Sequence, residues 1–211
     1  MVKRLQHYRP PVAMPWHGRP DVLPNTAVFQ VMQYVNLSQD HCHAAKTPAF
    51  ALLGYCCDEG VRRNYGRPGA QAGPAALRQA LARLPYDNTR AELFDAGDII
   101  CDQKNLESAQ ADLSTAVTTL CEQGYTPIIL GGDHSLALGH YQGISAITGE
   151  NRLDLINCDA HLDMRTLPSN QQGHSGTPFL QIAQMCDAQQ RDFRYHCFGV
   201  QTSGNSAELF K

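Results

Sequence analysis

From Ala49 onward, apolar runs of strand length alternate with amphipathic stretches of helical length. Ala49–Tyr55 reads as a strand, Gly73–Leu84 as a helix with Pro74 in its first turn, and Glu92–Phe94 as a short strand. Leu106, Ala109, Leu113, Val117 and Leu120 recur at helical spacing, which predicts a helix over Leu106–Gln123 with Gly124 closing its C-terminus. The alternation continues with a strand at Pro127–Leu130, a helix at Leu136–Ile147, a buried strand at Leu153–Cys158, a helix at Pro178–Cys186 and a strand at Tyr195–Val200. Before Ala49 the pattern is broken. Pro10, Pro11, Pro15, Pro20 and Pro24 interrupt every helical period, so residues 1–47 are expected to be an irregular extension wrapped on a main body over 48–211.

Strands separated by helices of this length need crossover connections. The expected architecture is therefore an α/β three-layer sandwich, a mostly parallel sheet with helices on both faces. In such sheets ligands bind where the strands end, so the residues directly after each apolar run deserve inspection first.

Composition narrows the function classes. With 211 residues and 23.2 kDa the chain suits one domain, and 43% hydrophobic residues supply a core. Seventeen Lys and Arg against 20 Asp and Glu give a net charge of -3, without the basic excess that nucleic acid binding requires. The longest apolar stretch, Ala49 to Cys57, falls well short of the roughly 20 residues of a membrane span. Met1 to Met14 is polar and does not read as a signal peptide, which points to the cytoplasm. The eight cysteines contain no Cys-x-x-Cys pair and are read as reduced structural thiols.

Two predicted strand ends carry the chemistry. Gly131-Gly132-Asp133-His134-Ser135 follows one and Asp159-Ala160-His161-Leu162-Asp163 the other. In the second, polar residues occupy alternate positions, and an extended backbone would turn all three to one face. Carboxylates and imidazoles crowded in this way call for a cation, with His134 placed to add a ligand. A polar strand end that merely caps the next helix is the simpler reading of Asp-x-His-x-Asp. The apolar strand upstream, the second histidine at an equivalent strand end and the close backbone approach allowed by Gly131-Gly132 favour the metal. A phosphate loop at Gly131-Gly132 is disfavoured, since no Lys-Ser/Thr follows.

These two segments resemble the first two metal signatures of the ureohydrolases, the arginase and agmatinase superfamily. The resemblance extends over Cys57-Asp58-Glu59-Gly60-Val61-Arg62-Arg63-Asn64, Gly66-Arg67, Gly69-Ala70, Gly73-Pro74 and Asp95-Ala96-Gly97-Asp98. Trp16-His17-Gly18-Arg19-Pro20-Asp21, Asp163-Met164-Arg165, Ser175-Gly176-Thr177-Pro178-Phe179 and Gly199-Val200-Gln201 with Asn205 look most like the formimidoylglutamase branch. Where arginases and agmatinases carry a functional His, this chain has Ser175, with His174 one position earlier.

The resemblance implies an arginase-like fold and two Mn²⁺ ions. One would be bound by His134, Asp159 and Asp163; the second would be ligated by His161, with Asp159 bridging. Its implied reaction is hydrolysis of a linear amidine, N-formimidoyl-L-glutamate and water giving L-glutamate and formamide in histidine degradation, by hydroxide that the manganese pair activates. A small molecule is the implied partner, and a homo-oligomer is possible in this family. Arg165, Ser175 and Asn64 are the candidate substrate-binding residues. An Arg two positions beyond a metal ligand can grip a substrate carboxylate, which agmatine lacks; a structural ion pair is the competing reading. Arg62, Arg63 and Arg67 are rival carboxylate binders.

The family's third signature, Ser-x-Asp-x-Asp followed by Asp-Pro, does not occur before Lys211. The expectation is a C-terminal part missing, a weak second ion site and an inactive chain with an uncovered sheet edge. The alternatives are another ureohydrolase, such as an agmatinase or guanidino-acid hydrolase, and a non-catalytic assembly module with a partial metal site. Asp133 and Ser135 are expected to hold the ligand loops. His140, His196, His41 and His43 with Cys42 are read as packing or surface residues.

Overall fold

The computed structural model describes residues 5–39, 48–87, 90–102, 104–149 and 153–210. The fragment His41-Cys42-His43 therefore lies outside the described residues. Strand β3 (Ala49–Cys56) is the centre of the larger sheet, parallel to β4 (Glu92–Ile100) on one side and to β5 (Tyr125–Gly131) on the other. Two short strands of the N-terminal segment, β1 (Tyr8–Arg9) antiparallel and β2 (Gln33–Tyr34) parallel, add to β4. The proline-broken segment thus extends the sheet as well as wrapping it.

Strand periodicity sorts β3 between two cores. Ala49, Ala51, Leu53 and Tyr55 pack with Leu106, Leu113, Val117 and Leu120 of α4 (Leu106–Glu122). Leu52, on the opposite face, packs with Trp16, Val28 of α1 (Val28–Val31), Met32, Leu130 and Ala82 of α3 (Gly73–Ala82). The sheet is covered on both faces, as the three-layer reading expects. Asn105 caps α4 by accepting the Ser108 N–H at 3.3 Å, and the Gly124 N–H closes its far end on the Cys121 carbonyl at 2.9 Å.

Strand β4 runs six residues past the short segment expected at Glu92–Phe94, through Asp95 and Asp98. Arg78 of α3 makes this possible. Its Nε and Nη2 donate to the two Asp95 carboxylate oxygens at 2.9 Å each, and its Nη1 donates to Asp98 at 2.6 Å. Trp16 Nε1 adds a bond to Asp95 at 2.7 Å. Gly54 is required beside this network, because a Cβ there would lie 1.9 Å from Asp98 Oδ1.

Helix α5 (Leu136–Thr148) packs against α4, and α6 (Pro178–Ala188) against α5. A third core, built from Leu138, Tyr141, Phe179, Ile182 and Cys186, joins these helices to β6 (Asp154–Cys158) and β7 (Arg194–Phe198). The last two strands form a separate parallel pair. The expectation of a buried strand at Leu153–Cys158 is corrected here: β6 is covered on one face only, leaving Ile156 70% exposed, with Phe198 61% exposed beside it on β7. Among the described residues β5 pairs only with β3 and β6 only with β7, so one edge of each is open.

Replacing Arg78 by Met is expected to destabilise the fold by about 3–5 kcal/mol, because Asp95 would remain buried without its countercharge. Urea unfolding followed by circular dichroism measures this, and a loss below about 1 kcal/mol would show that the network does not hold β4.

Candidate metal centre

The end of β5 is drawn over the end of β3. Gly132 N–H donates to the Tyr55 carbonyl and Asp133 N–H to the Cys57 carbonyl, both at 2.9 Å. Only glycine fits at 132, since a Cβ would come within 2.3 Å of the Tyr55 carbonyl oxygen. Asp133, 3% exposed, accepts the N–H of Val61 and the N–H of Ser135, both at 3.0 Å. Its carboxylate ties the turn carrying His134 to helix α2 (Glu59–Arg63), which the sequence pattern did not reveal. The Ser135 hydroxyl is buried beside the Tyr55 hydroxyl.

The second segment does not continue as a strand. β6 stops at Cys158, and Asp159 folds back so that its Oδ1 accepts the His161 N–H at 2.9 Å. Asp163 has a φ of 48°, in the left-handed region. Turn geometry, not strand alternation, therefore aims the side chains, and this corrects the extended-backbone argument. Asn205 holds the turn, accepting the Leu162 N–H and donating to the Ala160 carbonyl, both at 2.9 Å, while Tyr195 Oη donates to the Leu162 carbonyl at 3.0 Å.

His134, Asp159 and Asp163 come together, with one ligand atom from each lying within 4.8 Å of the others. His134 Nδ1 is 2.6 Å from Asp163 Oδ2 and 3.3 Å from Asp159 Oδ2. His161 stands at the side, its Nδ1 3.4 Å from the other Asp159 oxygen and its side chain 51% exposed. Burial disfavours the charged form of His134, but the hydrogen bond to Asp163 and the nearby carboxylates outweigh it and raise its pKa. The cluster attracts positive charge.

The three candidate substrate residues also meet. Asn64 Nδ2 donates to Ser175 Oγ at 3.1 Å, and Arg165 Nη1 donates to Asn64 Oδ1 at 3.2 Å. Arg165 is exposed, and its other guanidinium donors have no hydrogen-bond partner among the described residues. Two rivals are already committed. Arg62 donates from Nε to Glu59 at 2.6 Å and pairs with it again through Nη2, and Arg63 binds Glu59, Glu107 and two carbonyls. Arg67 is exposed. His174 is buried, accepts the Gly176 N–H at 3.1 Å and has its pKa lowered, first by burial and then by Arg165. His140 is half-buried on α5, and His196 lies at the surface 3.5 Å from Asp154. The organising roles of Glu59 and Asn205 are not apparent from the motifs. The spacing of Glu59 to Arg62 and Arg63, three and four residues, is the signal that could have found the first.

The profile of the arginase family matches residues 48–210. The chain belongs to the arginase family. It is 43% identical over 208 residues to a formimidoylglutamase of Geobacillus thermodenitrificans, covering 96% of this chain and 62% of that protein. A formimidoylglutamase of Aeromonas salmonicida is 40% identical over 196 residues, with 92% of this chain and 61% of that protein covered. A crystal structure of Trypanosoma cruzi formiminoglutamase with Mn²⁺ superposes with a TM-score of 0.67 at 31% identity, covering 80% of this chain and 58% of that one. The chain thus spans about three-fifths of the length of the curated relatives it matches.

Asp133→Asn is expected to weaken Mn²⁺ binding by roughly tenfold without abolishing it, as loss of a group that orients a ligand does. Competition against a manganese indicator reads this, and unchanged affinity would remove the role given to Asp133.

Proposed function

We propose that this chain carries the site of a formimidoylglutamase, in which water cleaves N-formimidoyl-L-glutamate to L-glutamate and formamide. The observation that carries this reading is the position of Arg165. Its Nη1 bonds Asn64, which in turn bonds Ser175, its other guanidinium donors have no partner among the described residues, and His174 interacts electrostatically with both Arg165 and Asp163. A dicarboxylate substrate can bind there in the bidentate manner that guanidinium favours. Agmatine offers no carboxylate to that donor set.

The cluster suits a divalent cation. Its donors are two carboxylates and one imidazole, and the hydrogen bond to Asp163 with the nearby carboxylates raises the His134 pKa against its burial, the direction expected of a site that favours positive charge. Such a set fits Mn²⁺ among the first-row ions. Bound there, the ion supplies Lewis acidity that brings water toward its hydroxide form near neutral pH. His134, Asp159 and Asp163 would hold the first ion. Asp159 faces both His134 and His161, which makes it the residue able to serve two ions, with His161 on the second. Asp133 and Asn205 keep the two ligand turns in place. Arg165, Asn64 and Ser175 orient the glutamate portion so that its amidine carbon faces the centre. The seven described cysteines are all free, which supports a cytosolic setting.

A second reading, a module that binds one ion without turnover, draws on His161, which lies 3.4 Å from Asp159 but outside the cluster of His134, Asp159 and Asp163. Manganese titration with formamide detection distinguishes the two: one ion per chain and no formamide supports the second, while two ions with turnover support the first.

For the manganese-loaded chain, L-glutamate is expected to bind more tightly than agmatine, and Arg165→Met to weaken glutamate about 10- to 100-fold, the range of charge-assisted bonds. Isothermal calorimetry measures both. Equal or stronger agmatine binding would contradict the assignment.

A further inference from the structure

Arg63, one of the rival carboxylate binders, has no donor left for a substrate. Its Nε donates to Glu59 at 3.0 Å; Nη1 donates to Glu107 at 2.5 Å and to the Gly173 carbonyl at 3.0 Å; Nη2 donates to Glu107 at 3.1 Å and to the Lys104 carbonyl at 3.3 Å. All five N–H groups of the guanidinium are used. Its side chain is 11% exposed, whereas that of Arg62, whose hydrogen bonds end on Glu59, is 45% exposed.

The Gly173 bond sits at a boundary. Residues 168–172 form an exposed turn held by local bonds, such as Gln171 N–H to the Pro168 carbonyl at 2.8 Å, and burial begins at Gly173. From there the segment is internally braced. His174 N–H donates to Thr177 Oγ1 at 2.9 Å, and Gly176 N–H to His174 Nδ1 at 3.1 Å. It meets α2 through the Ser175 N–H to the Gly60 carbonyl at 3.1 Å, and the Arg165 strand of chain through the Gly176 carbonyl at 2.9 Å. A braced unit of this kind moves as a whole, so the grip at its entrance fixes where Ser175 stands.

We propose that Arg63 is the positioning residue of the carboxylate subsite, pinning the segment that carries Ser175 to α2 and to the start of α4. This rests on the reading of Arg165, Asn64 and Ser175 given above. Arg63 touches no substrate; it acts through Gly173 and Ser175. Lysine cannot replace it, because three donors on one nitrogen do not span two carboxylates and two carbonyls.

The test uses the full chain and two variants. In Arg63→Lys, amide hydrogen exchange at residues 173–176 is expected to quicken by about tenfold, and the Kd for L-glutamate of the manganese-loaded chain to rise by about tenfold. Manganese affinity should stay within about twofold, a split that general unfolding would not give. Glu107→Gln, at a half-exposed site, keeps the test decisive if the lysine variant does not fold: it is expected to move the same amides in the same direction by a smaller factor. Unchanged exchange in both variants, or faster exchange with unchanged glutamate affinity, would overturn the proposal. Failure of the unmodified chain to bind L-glutamate contradicts the subsite reading instead, and it appears before any variant is made.

Discussion

Two carboxylates and an imidazole with ligand atoms within 4.8 Å of one another make a donor set that favours positive charge among them. This constraint organises the strand ends. The structure spends a set of otherwise unrelated groups on maintaining the crowding. Asp133 ties the His134 turn to α2, while Asn205 and Tyr195 tie the Asp159–Asp163 turn to the neighbouring segments. The same carboxylates raise the pKa of His134 against the effect of its burial.

Asp95, buried, and Asp98, half-buried, show the contrast elsewhere in the molecule. Asp95 and Asp98 are answered from inside the fold by Arg78, with Trp16 and the Gly97 N–H filling Asp95's remaining acceptor positions. That network is closed and serves to hold β4. The carboxylates of the His134 cluster have no arginine or lysine partner among the described residues, and Arg165 keeps most of its donors open there. Closed charge networks build the frame here, and open ones mark where a ligand belongs.

Much of the frame is legible in the sequence because burial alone decides it. The β3 run and the five apolar residues of α4 need only their own periodicity, and both form as expected. β4 is not legible, since two aspartates read as the end of a strand and their neutralising partner lies on a helix seventeen and twenty residues earlier. The exposed face of β6 is hidden for a different reason: an apolar run does not say whether both of its faces find a neighbour. At the site, the residue types pointed to the chemistry and the structure brings His134, Asp159 and Asp163 together. The geometry did not follow from the pattern, because the Asx turn at Asp159 and the left-handed Asp163 replace extended chain. The commitment of Arg62 and Arg63 to Glu59 shows in the sequence only as spacings of three and four residues, which carry weight when the segment is a helix.

The central claim is that this cluster holds a divalent ion, and anomalous scattering from crystals grown with Mn²⁺ tests it most directly. The account predicts a manganese peak within bonding distance, roughly 2.0–2.3 Å, of His134 Nδ1 and of both Asp159 and Asp163 carboxylates. A manganese-saturated crystal with no peak there, and with His134 still hydrogen-bonded to Asp163, would contradict it.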